Sequence, residues 1–205
     1  MFKNHNGTDN GLSTLNLEKL FEQKRINSIL YDDPFLKAGF ISKLVQDTDI
    51  DILYLDLDLL YSGYIVSGIL SSKENVALFQ PSVENLGKIL TEVLVKSSLS
   101  QTLVIVDSLN GLFNILNRKK DVGRVVTSII MLLASIAQIT NSYVLIASMV
   151  RYKKEEGWVL SPTGKRLIET KNSKKILLEH DKDGIVLNLL TDSSKLLLSA
   201  NSIPI

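Results

Sequence analysis

Three short stretches, Asp51–Leu57 (DILYLDL), Thr102–Val106 (TLVIV) and Ser142–Ser148 (SYVLIAS), read as strands that are apolar on both faces. Successive side chains of a strand point to opposite sides of a sheet, so such strands must be covered from both sides. The covers lie between them. FLKAGFISKLVQ places Phe35, Leu36, Phe40, Ile41, Leu44 and Val45 at helical spacing. Pro34 suits the first turn of that helix, where its missing N–H costs nothing. Pro81-Ser82 introduces a helix over Val83–Lys96 with Ser82 as its N-cap, and a further helix runs from about Val122 to Ile139. Strands alternating with helices predict an α/β fold: a mostly parallel central sheet flanked by helices.

The rest of the chain elaborates this plan. Residues Met1 to Gly11 are rich in Asn, Gly and Asp and read as a flexible tail, leaving one domain over residues 12–205. Leu15, Leu17, Leu20 and Phe21 predict a short amphipathic helix, Ile26–Tyr31 a strand, Tyr64–Leu70 the start of a helix, and Asn75–Phe79 another strand. Lys174–Glu179 and Ile185–Leu190 read as strands joined across His180–Gly184, whose Asp-Gly pair is a hairpin signal, and Leu196–Leu198 as a third strand. The parallel core therefore carries a C-terminal antiparallel hairpin extension.

Composition narrows the chemistry. The chain has no cysteine, which removes disulfides and thiolate sites and fits a cytoplasmic protein. Its two histidines, His5 and His180, are far apart in sequence, so no metal site is expected, and His180 is given no role. Net charge is +1, so any nucleic-acid surface must be a local patch. Val125–Ile139 is apolar for about 15 residues, short of the roughly 20 that span a bilayer. It also holds Thr127, Ser128, Ser135 and Gln138, and reads as a core helix with no membrane role.

Ligands of open parallel sheets sit at the carboxyl ends of the strands. There the ordered set LYLDLDLLYSGYIV, NVALFQPSVENLGKIL, TLVIVDSLNGL and VLIASMVR resembles the RecA/RadA/KaiC superfamily of ATPases, over roughly Leu12 to Leu190. The resemblance implies a RecA-like fold. It places Asp58 at the acidic position that activates the attacking water, and Asp107, followed by Ser108, at the magnesium-holding end of the Walker B strand.

The phosphate loop departs from that pattern. A working loop reads G-x-x-x-x-G-K-[ST]: glycines let backbone N–H groups curl round the phosphates, lysine neutralises them, and the hydroxyl holds magnesium. The same register here is Tyr31-Asp32-Asp33-Pro34-Phe35-Leu36-Lys37-Ala38, in which only Lys37 matches. Asp32 and Asp33 add negative charge, costing on the order of 4 kcal/mol per contact at ~4 Å and an effective dielectric of about 20, before screening. We expect no catalytic residue, no cofactor and no ATP hydrolysis, with Lys37, Asp58, Asp107 and Ser108 as remnants of a nucleotide site. Taken singly, these residues also have plain readings. Lys37 can be a lysine on a helix surface, Asp107 a cap for the next turn, and Asp56 and Asp58 solvated strand-end carboxylates on one face.

Basic residues cluster in two places. Arg118, Lys119, Lys120 and Arg124 follow the Walker-B-like strand, and Arg151, Lys153, Lys154, Lys165, Arg166, Lys171, Lys174 and Lys175 crowd the stretch after SYVLIAS. They match the places where recombinases of the superfamily carry DNA-binding loops. Tyr152 and Trp158 are suited to stacking on bases. The expected partners are single-stranded DNA or RNA, and a RecA-like protein or further copies of this chain. The resemblance implies a non-catalytic, recombinase-paralogue role in DNA repair or recombination. A tRNA-binding subunit of an Elongator-like ring and a weak ATPase with a rebuilt phosphate site are the alternatives. A solvated basic loop without a partner is the plain reading of the same charges.

Overall fold

The computed structural model describes residues 14–117, 120–155, 157–160, 174–190 and 194–199, with only the backbone described at 157, 158 and 160. In chain order the elements are α1 (Leu17–Leu20), β1 (Ile26–Tyr31), α2 (Pro34–Asp47), β2 (Asp51–Asp56), α3 (Leu60–Val66), β3 (Val76–Phe79), α4 (Leu86–Leu99), β4 (Thr102–Asp107), α5 (Leu109–Ile115), α6 (Val122–Thr140), β5 (Tyr143–Lys153), β6 (Gly157–Leu160), β7 (Lys175–Asp181), β8 (Gly184–Leu189) and β9 (Ser194–Ser199). All the strands belong to one sheet in the order β3-β2-β4-β5-β1-β7-β8-β9, with β6 on β5. The pairings from β3 through to β7 are parallel. β7, β8 and β9 pair antiparallel, as does β6 with β5. The α/β fold with a C-terminal antiparallel extension is the one the apolar pattern predicts.

Strand alternation builds two cores. Ile52, Tyr54, Leu103, Ile105, Leu145 and Ala147 meet Phe40, Ile41 and Leu44 of α2 on one side of the sheet. Leu53, Leu55, Val104, Val106, Val144 and Ile146 meet α4, α5 and α6 on the other. Asp107 continues the parity of Leu103 and Ile105, so its side chain belongs to the α2 side.

Several boundaries differ from expectation, three of them with a visible local cause. α3 starts at Leu60 rather than Tyr64, because Leu59 adopts a left-handed conformation (φ 59°) that turns the chain directly into the helix. α4 starts at Leu86, after N-cap Asn85 rather than Ser82. Asn85 Oδ1 accepts the Ser82 N–H at 2.6 Å, and the Ser82 hydroxyl instead bonds the Glu84 carboxylate, so Ser82 caps a turn and not the helix. β5 runs on to Lys153, beyond Ser148, because β6 pairs with its extension.

α6, among the described residues, is the one helix long and apolar enough by length and composition to cross a membrane. Here it lays Val126, Ile130, Leu133, Ala134 and Ala137 into the core. Val125, Leu132 and Ile139 are on its outer side.

Candidate functional site

The site forms where β1, β2 and β4 end. α2 is initiated locally: Asp33 is its N-cap, accepting the Phe35 N–H at 2.8 Å, and Pro34 supplies a preset first turn. One turn later Lys37 lies three and four residues before Phe40 and Ile41, on the stripe that α2 buries. It is 0% exposed, so the reading of Lys37 as a surface lysine is corrected. Its position on the stripe points it at the sheet, and only its length carries the charge past the apolar layer to the strand ends.

Its ammonium meets two carboxylates. Lys37 Nζ donates to Asp107 Oδ1 at 2.5 Å and to Asp58 Oδ2 at 3.0 Å. It also sits 5.2 Å from the centre of the Tyr31 ring, within cation–π range. The second Asp107 oxygen accepts the Tyr54 hydroxyl at 2.7 Å. The second Asp58 oxygen accepts the Ser108 hydroxyl at 3.2 Å. Asp107 therefore does not cap the following turn. Ser108 does, accepting the Gly111 N–H at 3.2 Å as the N-cap of α5. Lys37, Asp58, Asp107 and Ser108 were singled out from the sequence, and the fold brings them into contact.

Asp56 and Asp58 part company, against the expectation that both are solvated on one face. β2 ends at Asp56, and the N–H groups of Leu57 and Asp58 turn to the Asp107 carbonyl at 2.6 and 3.3 Å, breaking the strand alternation. Asp56 is 0% exposed and accepts the Ser62 N–H at 2.7 Å. It thereby caps the first turn of α3, whose own N-cap residue, Leu59, makes no side-chain cap. The other Asp56 oxygen, Oδ1, has no protein partner.

Burial and charge shift the titrations here. Burial alone would lower the pKa of Lys37; the charge of Asp107, with Tyr31 and Asp58 behind it, outweighs that and holds the ammonium above the usual lysine range. Burial raises Asp107, against the lowering effect of Lys37 and of the Tyr54 hydrogen bond. Burial also raises Tyr31 and Tyr54 and pushes Tyr61 up to about 12, with Asp56 adding to the last. The rings of Tyr54 and Tyr61 stack at 4.5 Å between centroids. The result is a knot of opposed charges in which Lys37 and Asp107 are buried and Asp58 is partly exposed.

α5 fits closely over this knot. A Cβ on Gly111 would stand 2.7 Å from Leu57 Cβ and 2.8 Å from Asp58 Oδ1, so only glycine lets α5 approach the Asp58 turn. Asn110, next to it, accepts the Met149 N–H at 3.1 Å and ties α5 to β5. On the other side, His180 Nε2 lies 2.8 Å from Asp33 Oδ2; His180 belongs to β7 and not to the hairpin turn, so the end of that strand touches the start of α2. The hydrogen bond to His180, opposed by burial and aided by the Phe35 and Leu36 N–H groups, keeps Asp33 below the usual carboxylate range. Tyr54, Asn110, Gly111 and His180 were not selected from the sequence. Nothing in local pattern marks a tyrosine, an asparagine or a glycine whose partner comes from another element. The signal for Lys37 was present: a lysine at an apolar-stripe position.

The basic segments leave the same end of the sheet, since α6 starts after β4 and returns to the amino end of β5. Lys120 and Arg124 are exposed, with Arg124 Nη1 3.8 Å from Asp121 Oδ2. Arg151 and Lys154 are exposed and Lys153 is half-buried. Arg118, Lys119, Lys165, Arg166 and Lys171 lie outside the described residues, as does the side chain of Trp158. A separate surface cleft of about 290 Å³ opens at the amino end of the strands, lined by residues including Asn16, Asp47, Asp49, Gln101 and Tyr143. Its Asp47 is engaged by the Leu15 N–H and by Lys43.

No protein-family model matches the sequence, and no curated protein matches it. Among solved structures, the chain is similar to the crystal structure of the RadB recombinase, at 16% identity and a TM-score of 0.53, covering 82% of this chain and 81% of that one. At that identity the likeness establishes architecture alone: this chain has a RecA-like fold.

Proposed function

We propose that this protein is a non-catalytic member of the RecA-like group that works by binding single-stranded nucleic acid, a RecA-like partner, or both, in recombination or repair. The observation that carries this reading is the phosphate loop, in whose register only Lys37 matches. Lys37 itself meets Asp107 and Asp58, which stand at the positions that in the superfamily would hold magnesium and activate water. Tyr31, Leu36 and Ala38 provide neither the glycine cradle nor the hydroxyl ligand. Asp33 is committed to the α2 cap and His180.

What supports a binding role is the surface beside the knot. Lys120, Arg124, Arg151 and Lys154 expose cationic heads at the carboxyl end of the sheet, and Tyr152 is an exposed ring among them. Lysine and arginine contacts to phosphates make such binding fall with salt. The similarity to a recombinase supports the process named, as a likeness of fold.

Two measurements test the proposal. Phosphate release with magnesium and ATP should be indistinguishable from buffer; turnover abolished by Lys37→Ala would establish a rebuilt ATPase instead. Labelled single-stranded DNA or RNA titrated at low salt should bind, and replacing Lys153, Lys154, Lys165 and Arg166 by Ala should weaken binding at least tenfold. Unchanged affinity in that variant would remove the nucleic-acid arm of the proposal.

A further inference from the structure

A continuous line of contacts leads from Lys37 to both basic segments. Lys37 Nζ holds Asp58 Oδ2, Asp58 Oδ1 holds the Ser108 hydroxyl, and Ser108 caps α5 through the Gly111 N–H. Gly111 lies so close to Leu57 and Asp58 that any side chain there would push α5 off the turn. From α5 the line divides. Through Asn110 Oδ1 and the Met149 N–H it reaches β5, whose extension carries Arg151, Lys153 and Lys154. Through the packing of α5 against α6 it reaches the start of α6, where Lys120 and Arg124 stand. Lys37 itself is wholly buried and cannot touch a ligand bound on that surface.

We infer that Lys37 is a positioning residue: its ammonium is a permanent internal cation that fixes the Asp58 turn, α5 and the β5 extension in one arrangement, so that the basic segments are presented without any nucleotide. The physical reason is electrostatic. Asp107 ends β4 and Asp58 lies in the turn just after the adjacent β2, so the two carboxylates repel unless a cation sits between them. A bound ion could come and go, and the elements resting on Asp58 would then loosen and tighten with it. A covalently attached cation cannot leave. The inference rests on the proposed binding role for its consequence, but the arrangement itself can be measured separately.

The test compares the parent with Lys37→Met/Asp107→Asn. The paired change leaves no buried charge unanswered, and asparagine retains an acceptor for the Tyr54 hydroxyl. Hydrogen exchange is followed at the Gly111 and Met149 amides, and affinity for labelled single-stranded DNA is followed against salt, with and without magnesium-ATP. The inference expects both amides to exchange at least tenfold faster in the folded double variant. Affinity should fall about tenfold with a shallower salt dependence, although no surface cation has changed. The parent's affinity should be the same with and without magnesium-ATP.

Parent-like protection of both amides, or parent-like affinity in the folded double variant, overturns the inference. So does a parent whose binding requires magnesium-ATP. Should the double variant fail to fold, Asp58→Ala keeps the Lys37–Asp107 pair and cuts only the link to α5, and the same readouts decide. A parent that binds no nucleic acid overturns the binding role in "Proposed function"; the exchange rates then decide the inference alone.

Discussion

The Lys37 cluster and the basic segments beside it hold the same kind of charge at the same end of the sheet, in opposite surroundings. Lys37 has lost its water and answers to Asp107, Asp58 and the Tyr31 ring. Arg151 and Lys154 keep theirs. A buried cation can be held only by partners that repay its desolvation, which makes it specific and immobile. An exposed one costs little to keep and is available to any anion that arrives. The comparison teaches that surroundings, not charge, separate the two groups: Lys37 is enclosed by its partners, while Arg151 and Lys154 remain exposed to solvent.

The sharpest way to break this comparison is to remove the buried cation. Lys37→Met leaves Asp107 buried without its cation, held only by the Tyr54 hydroxyl, and losing one member of a buried pair typically costs about 3–5 kcal/mol. Urea unfolding should show a loss of that size, with more than half recovered when Asp107→Asn is added. A loss under about 1 kcal/mol would mean that Lys37 behaves as a surface residue after all.

Alkali attacks the same cluster without mutation. Tyr31, Tyr54, Tyr61 and Lys37 all have folded-state pKa values above their ordinary ones of 10.0 and 10.5. The folded protein therefore binds these protons more tightly than the unfolded chain does. Their contribution is complete below pH 10 and is lost as pH rises through the folded values, which for Tyr61 means about 12. Urea midpoints should hold from pH 8 to pH 10 and fall between pH 10 and pH 11.5, while tyrosinate absorbance reports the late-ionising rings. A flat profile over that range would contradict a buried knot.

The smallest effects belong to the exposed groups. Asp33→Ala removes the α2 cap and should cost about 1 kcal/mol. Arg151→Ala and Lys154→Ala should each change stability by less than about 0.5 kcal/mol. Thermal midpoints rank the three. If either basic substitution destabilised more than the cap, those residues would be structural and the contrast would fail.

Some of this was legible in the residues themselves. Strands apolar on both faces demanded a covered parallel sheet, and β2, β4 and β5 are buried as that rule requires. Asp-Gly marked the β7–β8 turn correctly. Asp58, Asp107 and Lys37 were identifiable because the ordered segments that hold them resemble those of the RecA/RadA/KaiC superfamily. Their contacts were not identifiable. Whether Asp56 and Asp58 share a face depends on where β2 stops, and that is set by Leu57 and Asp58 bonding to the Asp107 carbonyl, a partner far along the chain. Ser82 has the same chemistry as a true N-cap, but its hydroxyl bonds the Glu84 carboxylate, its N–H is taken by Asn85 Oδ1, and the helix starts only at Leu86.

By itself, the sequence determined the layered α/β plan, since apolar periodicity is a local property that burial must satisfy. It also determined which residues carry charge near the strand ends. Only the tertiary structure decided what those charges do. Lys37 could have faced water or the sheet, and Asp33 could have faced a ligand or a histidine. Each choice was made by a group brought from a distant segment: Asp107 for Lys37, His180 for Asp33. Electrostatic pairing depends on distances of a few ångströms between such groups, and those distances exist only once the chain has folded.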